Sequence, residues 1–223
     1  MRELKTEAII LKRINYGEAD RILTLITPLG KKSAVAKGIR KERSKLAGAV
    51  EPFTLTEVNL HEGKSELLIV TGAKAKKFYS NLLKDLDRLE VASEILKRIS
   101  KASDFVDSPE YFELTRQCLE ALNAGGNAEV ILAWFYLNLA RVSGEEINLR
   151  FDTDGESLKE DGCYAWDSME KTMRKDMKGE LGANEIKILR LMVSAKLALV
   201  LRVKEVGEMA AELLYIAKTL NQI

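Results

Sequence analysis

Three prolines, two cysteines and one histidine are all that the 223 residues hold of those types, and aromatic residues make up only 6%. Each shortage excludes something. Scarce proline, with no low-complexity segment, argues against long disordered tracts. Cys118 and Cys163 are far apart and unclustered, so they read as reduced thiols. His61, the lone histidine, makes neither a catalytic triad nor a zinc site. There is no GxxxxGK[ST], and no GxGxxG follows a strand-like run, so nucleotide-driven chemistry has no support. No run approaches the roughly 18 apolar residues of a membrane span. The start, MRELKTEAII, has no apolar core of a secretory signal. A cytosolic protein with no membrane partner is the expectation. Its 46% apolar and 31% charged residues are ordinary for a soluble globular chain.

Charge is present in both signs but unevenly placed. The net charge is +1, yet residues 1–80 hold 16 basic and 9 acidic residues, a net +7. The remainder holds 19 basic and 25 acidic residues, a net −6. Such asymmetry suggests different partners for the two halves.

Residues 1–75 read as all-β. Strand-like runs at 8–11, 22–27 and 33–37 are separated by the turn signals Asn15-Tyr16-Gly17 and Pro28-Leu29-Gly30. A fourth run, 53–60, changes phase: Phe53 and Leu55 share one face, Val58 and Leu60 the other. A bulge near Thr56-Glu57 would turn both pairs inward. After a turn at 61–64, a fifth apolar run spans 67–70. Five short strands fit a small barrel of the OB type, with a small open sheet as the competing geometry.

From about residue 75 the period becomes helical, with a break near 85–87. Ser108-Pro109-Glu110 is a helix start, Gly125-Gly126 an end, and Asn127 a cap for the strongly apolar run AEVILAWFYLNLARV. Residues 144–182 are irregular and acidic, with a possible helix in YAWDSMEKTMRKDM. Two helical runs follow, at 185–201 and 206–220.

A basic tract runs from Lys31 to Lys45, through the third run and into the connection after it: Lys31, Lys32, Lys37, Arg40, Lys41, Arg43 and Lys45 against the single acid Glu42. A compact β unit with a cationic edge has the outline of a nucleic-acid-binding surface; a solvated lysine-rich loop is the plain alternative. Tyr16, beside Gly17, either stacks on bases or packs against the barrel. Phe53 reads as core. Glu18 and Asp20 in GEADR have no second carboxylate cluster beside them. They read as a structural group that pairs Arg21 or caps the turn, not as a hydrolase site.

The phrases EAIILKR, YGEADRILTL, GKKSAVAKGIRK and KLAGAVEPFTLTEVNL, in this order over roughly the first 75 residues, resemble the N-terminal domain of the RecO family of bacterial recombination mediators. The resemblance implies an α+β protein: an N-terminal OB-fold β-barrel, residues 1–78, followed by an α-helical domain, residues 79–223. It implies a non-enzymatic, nucleoid-associated mediator. Such a protein binds single- and double-stranded DNA and anneals strands coated by single-stranded DNA-binding protein. It also helps load recombinase together with RecR. The DNA-contact candidates are Lys12, Arg13, Lys31, Lys32, Lys37, Arg40, Lys41, Arg43 and Lys45. An OB module for RNA or the ribosome is the alternative. Some RecO proteins carry a four-cysteine zinc site. Here the matching region, about 148–173, keeps only Cys163, with Asp152, Asp154, Asp161 and Asp167 as hard oxygen donors, so neither zinc nor another cofactor is expected.

Overall fold

The structure is a computed structural model that describes residues 3–42, 44, 46–63 and 67–220. It is α+β, with a five-stranded sheet first and helices after it. The strands are β1 (Glu3–Tyr16), β2 (Asp20–Thr27), β3 (Gly30–Ala36), β4 (Thr54–Glu62) and β5 (Leu68–Phe78). Their order is β1-β2-β3-β5-β4, and β1 pairs with both β2 and β4, so the sheet closes on itself. Every pairing is antiparallel except the short parallel contact of β3 with β5.

Period-two burial builds the inside. Ala8, Ile10, Leu23, Leu25, Ala34, Ala36, Val58, Leu60 and Val70 converge, sealed by Ile39 and Val50 from the β3–β4 connection. The opposite face of the same strands is also buried in part. Ile9 lies across from Ile26 on β2 and from Leu55 on β4, and all three are closed to water. Helices α1 (Leu86–Ala102) and α2 (Glu110–Asn123) pack against β1, and α2 also against β2. The uninterrupted run Ala-Ile-Ile-Leu at 8–11 is thereby explained: it is buried on both faces. The β2–β3 turn needs glycine at position 30. Its φ is +81°, and a Cβ there would overlap the Asp107 carboxylate.

Four expectations need correction. The phase change in the fourth strand does not turn both pairs inward. A register shift does occur at Leu55/Thr56, but Leu55 keeps the outer position shared with Ile9 while Val58 and Leu60 face in. Strand β5 continues to Phe78, past the expected helical onset, and His61 and Glu62 lie in β4 rather than in a turn. YAWDSMEKTMRKDM is no helix. It forms a hairpin of β6 (Tyr164–Asp167) and β7 (Thr172–Lys175), whose turn is held by Asp167 Oδ1 accepting the Met169 and Glu170 N–H groups at 3.0 Å each. Buried Tyr164, Thr172 and Met173 anchor the hairpin, and this packing outweighs the helical propensity of Glu and Lys.

The helix signals fared better. Asp85 caps α1 by accepting the Arg88 N–H at 3.2 Å, which is the break near 85–87. Ser108 Oγ accepts the Glu110 N–H at 3.2 Å at the start of α2. Asn127 caps α3 (Ala128–Val142) through the Glu129 and Val130 N–H groups. Residues 130–140 of α3 are all buried. Around it lie α4 (Ala183–Ser194), the short α5 (Leu197–Val200) and α6 (Lys204–Glu208), and α7 (Ala210–Leu220), which packs along α3. Buried Asn138 links α3 to α4 by donating to the Met192 carbonyl at 3.0 Å. Among the described residues, no helix is long and apolar enough to cross a membrane.

Residue 78 marks the change from strand to helix, but packing groups α1 and α2 with the sheet. One compact unit ends at Ala124 and another begins at Gly125. Burying a large aliphatic side chain contributes about 1.5–3 kcal/mol, against a typical total stability of about 5–15 kcal/mol. A fragment ending at 78 removes the helices that pack on β1 and β2, the strands of buried Ile9 and Ile26. We therefore expect residues 1–124 to give a cooperative thermal transition by circular dichroism and residues 1–78 to give none or one at much lower temperature. Equal melting of the two fragments would contradict the helices' role as cover.

Candidate nucleic-acid interface

The site begins with a phase reversal in β1. Ile10 faces Leu25 in register, but the next pair is Lys12 with Thr24, so Leu11 is an extra residue. This bulge turns Lys12, Ile14 and Tyr16 to the outside, in register with Thr24, Ile22 and Asp20 on β2. On β3 the row continues through Ser33 and Val35. Ile14 and Tyr16 are 48% and 57% exposed, so the helices that cover Ile9 do not cover this end of the face.

The alternate positions carry an ion cluster. Arg13 and Arg21 both donate to the Glu51 carboxylate, Arg21 Nη1 at 3.2 Å from Oε1 and Arg13 Nη1 on Oε2. Arg21 Nε also donates to Asn15 Oδ1 at 3.3 Å. Such half-exposed pairs stabilise by only about 0–1 kcal/mol, but they bring a counter-charge to Arg13.

The basic connection after β3 is laced to the β1–β2 turn. Gly38 N donates to Asp20 Oδ1 at 2.7 Å, Arg40 N to the Ala19 carbonyl at 2.9 Å, and Arg40 Nη1 to the Gly17 carbonyl at 3.2 Å. Gly38 has φ +64°, which favours glycine there, and buried Ile39 anchors the loop in the core. The outcome is that Lys37, Arg40 and Lys41, all exposed, sit at the same end as Tyr16. In GEADR it is Asp20 that caps, and it caps this loop; Arg21 turns to Glu51 instead.

Other candidates lie elsewhere. Lys31 Nζ donates to the Ser100 carbonyl at 2.9 Å and to Asp104 Oδ1 at 2.5 Å, and its side chain is 19% exposed. It serves the C-terminal end of α1, where a cation is favoured by the helix dipole. Lys32 is half-buried across from Leu25. Lys37 is five residue steps further along the extended chain, roughly 17 Å. The structure therefore brings together Lys37, Arg40 and Lys41; Lys12, level with Thr24 and Ser33, lies further along the same outer face, and Lys31 and Lys32 are set apart. Arg43 and Lys45 lie outside the described residues. Sequence reasoning missed Ile14, Ile22 and Val35, although the alternation K-I-Y at 12, 14 and 16 signals a strand face. It also missed Lys74, Lys76 and Lys77, exposed on β5. Lys76 Nζ donates to Glu7 Oε1 at 2.8 Å, which raises its pKa above the usual lysine value. Lys77 Nζ lies 5.3 Å from the centre of the Tyr79 ring. Phe53 is half-buried at the start of β4, with φ +58°.

The acidic segment is folded on itself. Buried Asp152 accepts the Asp154 and Glu156 N–H groups at 3.0 and 2.9 Å, an Asx turn. Asp154 and Asp161 are exposed, as is the Cys163 thiol, while Cys118 is buried and its pKa is pushed up by loss of hydration. Among the described residues, no three His, Cys, Asp or Glu side chains converge as metal ligands.

Residues 1–79 match the family model described as Recombination protein O N terminal. A DNA repair protein RecO of Roseiflexus sp. (strain RS-1) is 37% identical over 146 residues, 64% of this chain and 50% of that protein. One of Dehalococcoides mccartyi (strain CBDB1) is 36% identical over 152 residues, 66% of this chain and 59% of that protein. One of Anaeromyxobacter sp. (strain K) is 34% identical over 149 residues, 65% and 58% of the two chains. The chain thus spans about half to three fifths of the length of these curated relatives. The resemblance to the RecO family holds over the N-terminal region and about two thirds of the chain.

The Asp20–Gly38 bond gives a direct test of how the site is held. Asp20→Ala leaves a half-buried N–H unpaired and removes a charged acceptor, a loss of about 1–3 kcal/mol. Denaturant unfolding should show a loss of that size, and the Gly38 and Arg40 amides should exchange faster with deuterium. Unchanged exchange at both would mean that the loop is held by something else.

Proposed function

We propose that this chain, similar to RecO proteins in its N-terminal region, is a DNA-binding recombination mediator and not a bond-breaking enzyme. Its part is to neutralise phosphate repulsion between strands, so that complementary single strands anneal. The observation that carries this reading is the laced loop. Asp20 and Ala19 hold the backbone at Gly38 and Arg40, the Gly17 carbonyl accepts from the Arg40 guanidinium, and Lys37, Arg40 and Lys41 are exposed beside an open sheet face. Fixed cations on a rigid edge bind phosphate with less ordering cost than cations on a free loop.

We read the closed sheet as a barrel of the OB type. The order β1-β2-β3-β5-β4, with β3 meeting β5 in parallel, supports it. The nucleic-acid-binding residues then lie within 1–78, the sheet part of the compact unit that ends at Ala124, and the helices within 79–223. The phosphate contacts are Lys12, Lys37, Arg40 and Lys41, with Arg43 and Lys45 continuing the tract in sequence. Arg13, Lys31 and Lys32 are weaker contacts, the first two because each already holds an internal acid and the third because it is half-buried. By the same likeness, double-stranded DNA, RecR and single-stranded DNA-binding protein are its partners, recombinase loading its outcome, and the nucleoid its place in the cytoplasm.

Binding measured against salt tests this most simply. Each phosphate neutralised on a single strand adds about 0.7 to the slope of log affinity against log salt, so three contacts add about 2.1. Replacing Lys37, Arg40 and Lys41 by Ala should flatten the slope by about that amount, equivalent to roughly 20-fold in affinity between about 50 and 200 mM salt. The loss should be the same on unrelated DNA sequences, because phosphate contacts carry no base information. A folded variant with the wild-type slope would make the tract an ordinary solvated loop.

A further inference from the structure

We propose that the cleft between the β6–β7 hairpin and α7 is a binding site for a linear oligoamine, a small organic cation with two or more ammonium groups on a methylene chain. The inference goes beyond the nucleic-acid reading and does not depend on it, because every residue of the cleft belongs to the unit that begins at Gly125.

The cleft holds about 450 Å³, within the roughly 300–1,000 Å³ of small-ligand sites. Its walls are held in place by hydrogen bonds. Tyr164 and Leu181 exchange backbone bonds at 2.9 and 3.0 Å, which ties the segment after β7 back onto β6. Gly179 N donates to the Asp176 carbonyl at 2.9 Å. A Cβ at Gly179 would lie 2.1 Å from the Tyr164 carbonyl oxygen, so this close pass requires glycine. The Trp166 ring is fixed from the other side, where its Nε1 donates to Thr219 Oγ1 of α7 at 2.8 Å. Tyr215, one turn before Thr219, is 60% exposed, and the lining is completed by buried Leu181 and Ile216.

The same lining carries the acids Asp176, Glu180 and Glu212 against one base, Lys178. Asp176 is answered in part, by the Lys178 N–H at 2.9 Å and by Arg174 at 4.0 Å. Among the described residues, neither Glu180 nor Glu212 has an ion-pair partner. Burial, then the like charges of Glu180 and Glu185, hold the Glu212 carboxyl above the usual carboxylate range. Neighbouring carboxylates of this kind lack a counter-charge. A metal ion is a poor fit, since among the described residues no three His, Cys, Asp or Glu side chains converge as its ligands. An alkylammonium uses every part of the lining. Its charge meets the carboxylates and the rings of Trp166 and Tyr215, and its methylenes cover Leu181 and Ile216. Acids stand on both walls, Asp176 and Glu180 on the segment after β7 and Glu212 on α7, which suits more than one ammonium group on one chain.

The test is calorimetric titration of the full chain, free of DNA, with spermidine and, at matched ionic strength, with magnesium chloride. Wild type should bind one spermidine per chain, and magnesium should not displace it. Tryptophan fluorescence should change on binding, because Trp166 lines the cleft whereas Trp134 is buried outside it. Glu212→Gln keeps the shape and removes a like charge. It should weaken spermidine binding about tenfold or more, the scale of one charged hydrogen bond. Tyr215→Ala, at an exposed position, should weaken it about two- to fivefold. Glu160→Gln removes the same charge elsewhere in the unit, from a side chain 90% exposed, and should leave binding unchanged. No binding at about 1 mM spermidine would overturn the site. Equal losses in Glu212→Gln and Glu160→Gln would reduce it to diffuse attraction by an acidic surface. Displacement by magnesium at matched ionic strength would do the same. None of these results alters the salt slope for DNA, so the two readings fail separately.

Discussion

The burial of β1 on two faces at residues 8–11, and its abrupt end at Leu11, is the constraint on which the rest depends. Inside, Ala8 and Ile10 complete the closed sheet; outside, Ile9 is sealed. A strand so buried cannot slip register without moving its apolar side chains to the wrong surface. The bulge then reverses the phase, and the same strand leaves the covered region with Lys12, Ile14 and Tyr16 facing water. The scaffold and the candidate interface are thus successive parts of one strand.

Charge is sorted by the same packing. The protein's basic N-terminal half contains cations of two kinds. Arg13, Arg21, Lys31 and Lys76 each hold an acid or a carbonyl within the unit, and their charges are largely spent on local structure. Lys37 and Lys41 stand exposed, and the Arg40 side chain donates to a backbone carbonyl, which satisfies a donor without cancelling its charge. A net charge of +7 over residues 1–80 therefore overstates the field available to a ligand. What matters is the small set of cations beside the open face, where low screening over less than about 8–10 Å lets them act together.

Much of this was legible in the sequence. The strand runs, the Gly17 and Gly30 turns, the Asp85 break and the Asn127 cap all rest on local chemistry, and local chemistry is what a sequence displays. Three things were not legible. The two-sided burial of residues 8–11 depends on helices more than 70 residues away. The partners of Lys31 and Arg13 lie 69 and 38 residues off, so neither appears in a window around the basic tract. The β6–β7 hairpin was masked by residues of good helix propensity, because strand pairing through Tyr164 and Leu181 is a tertiary effect. Tyr16 sat between two readings for a related reason: exposure at a strand end depends on a bulge five residues earlier.

Amide hydrogen exchange on the full chain, with and without a saturating single strand of DNA, tests the central claim most directly. Contact by the face and its rim should slow exchange at residues 12–16, 20–24 and 33–42, and leave residues 100–104 and the hairpin at 164–175 unchanged. Protection confined to residues beyond Gly125, with none between 12 and 42, would place the nucleic-acid site on the helical unit and contradict it.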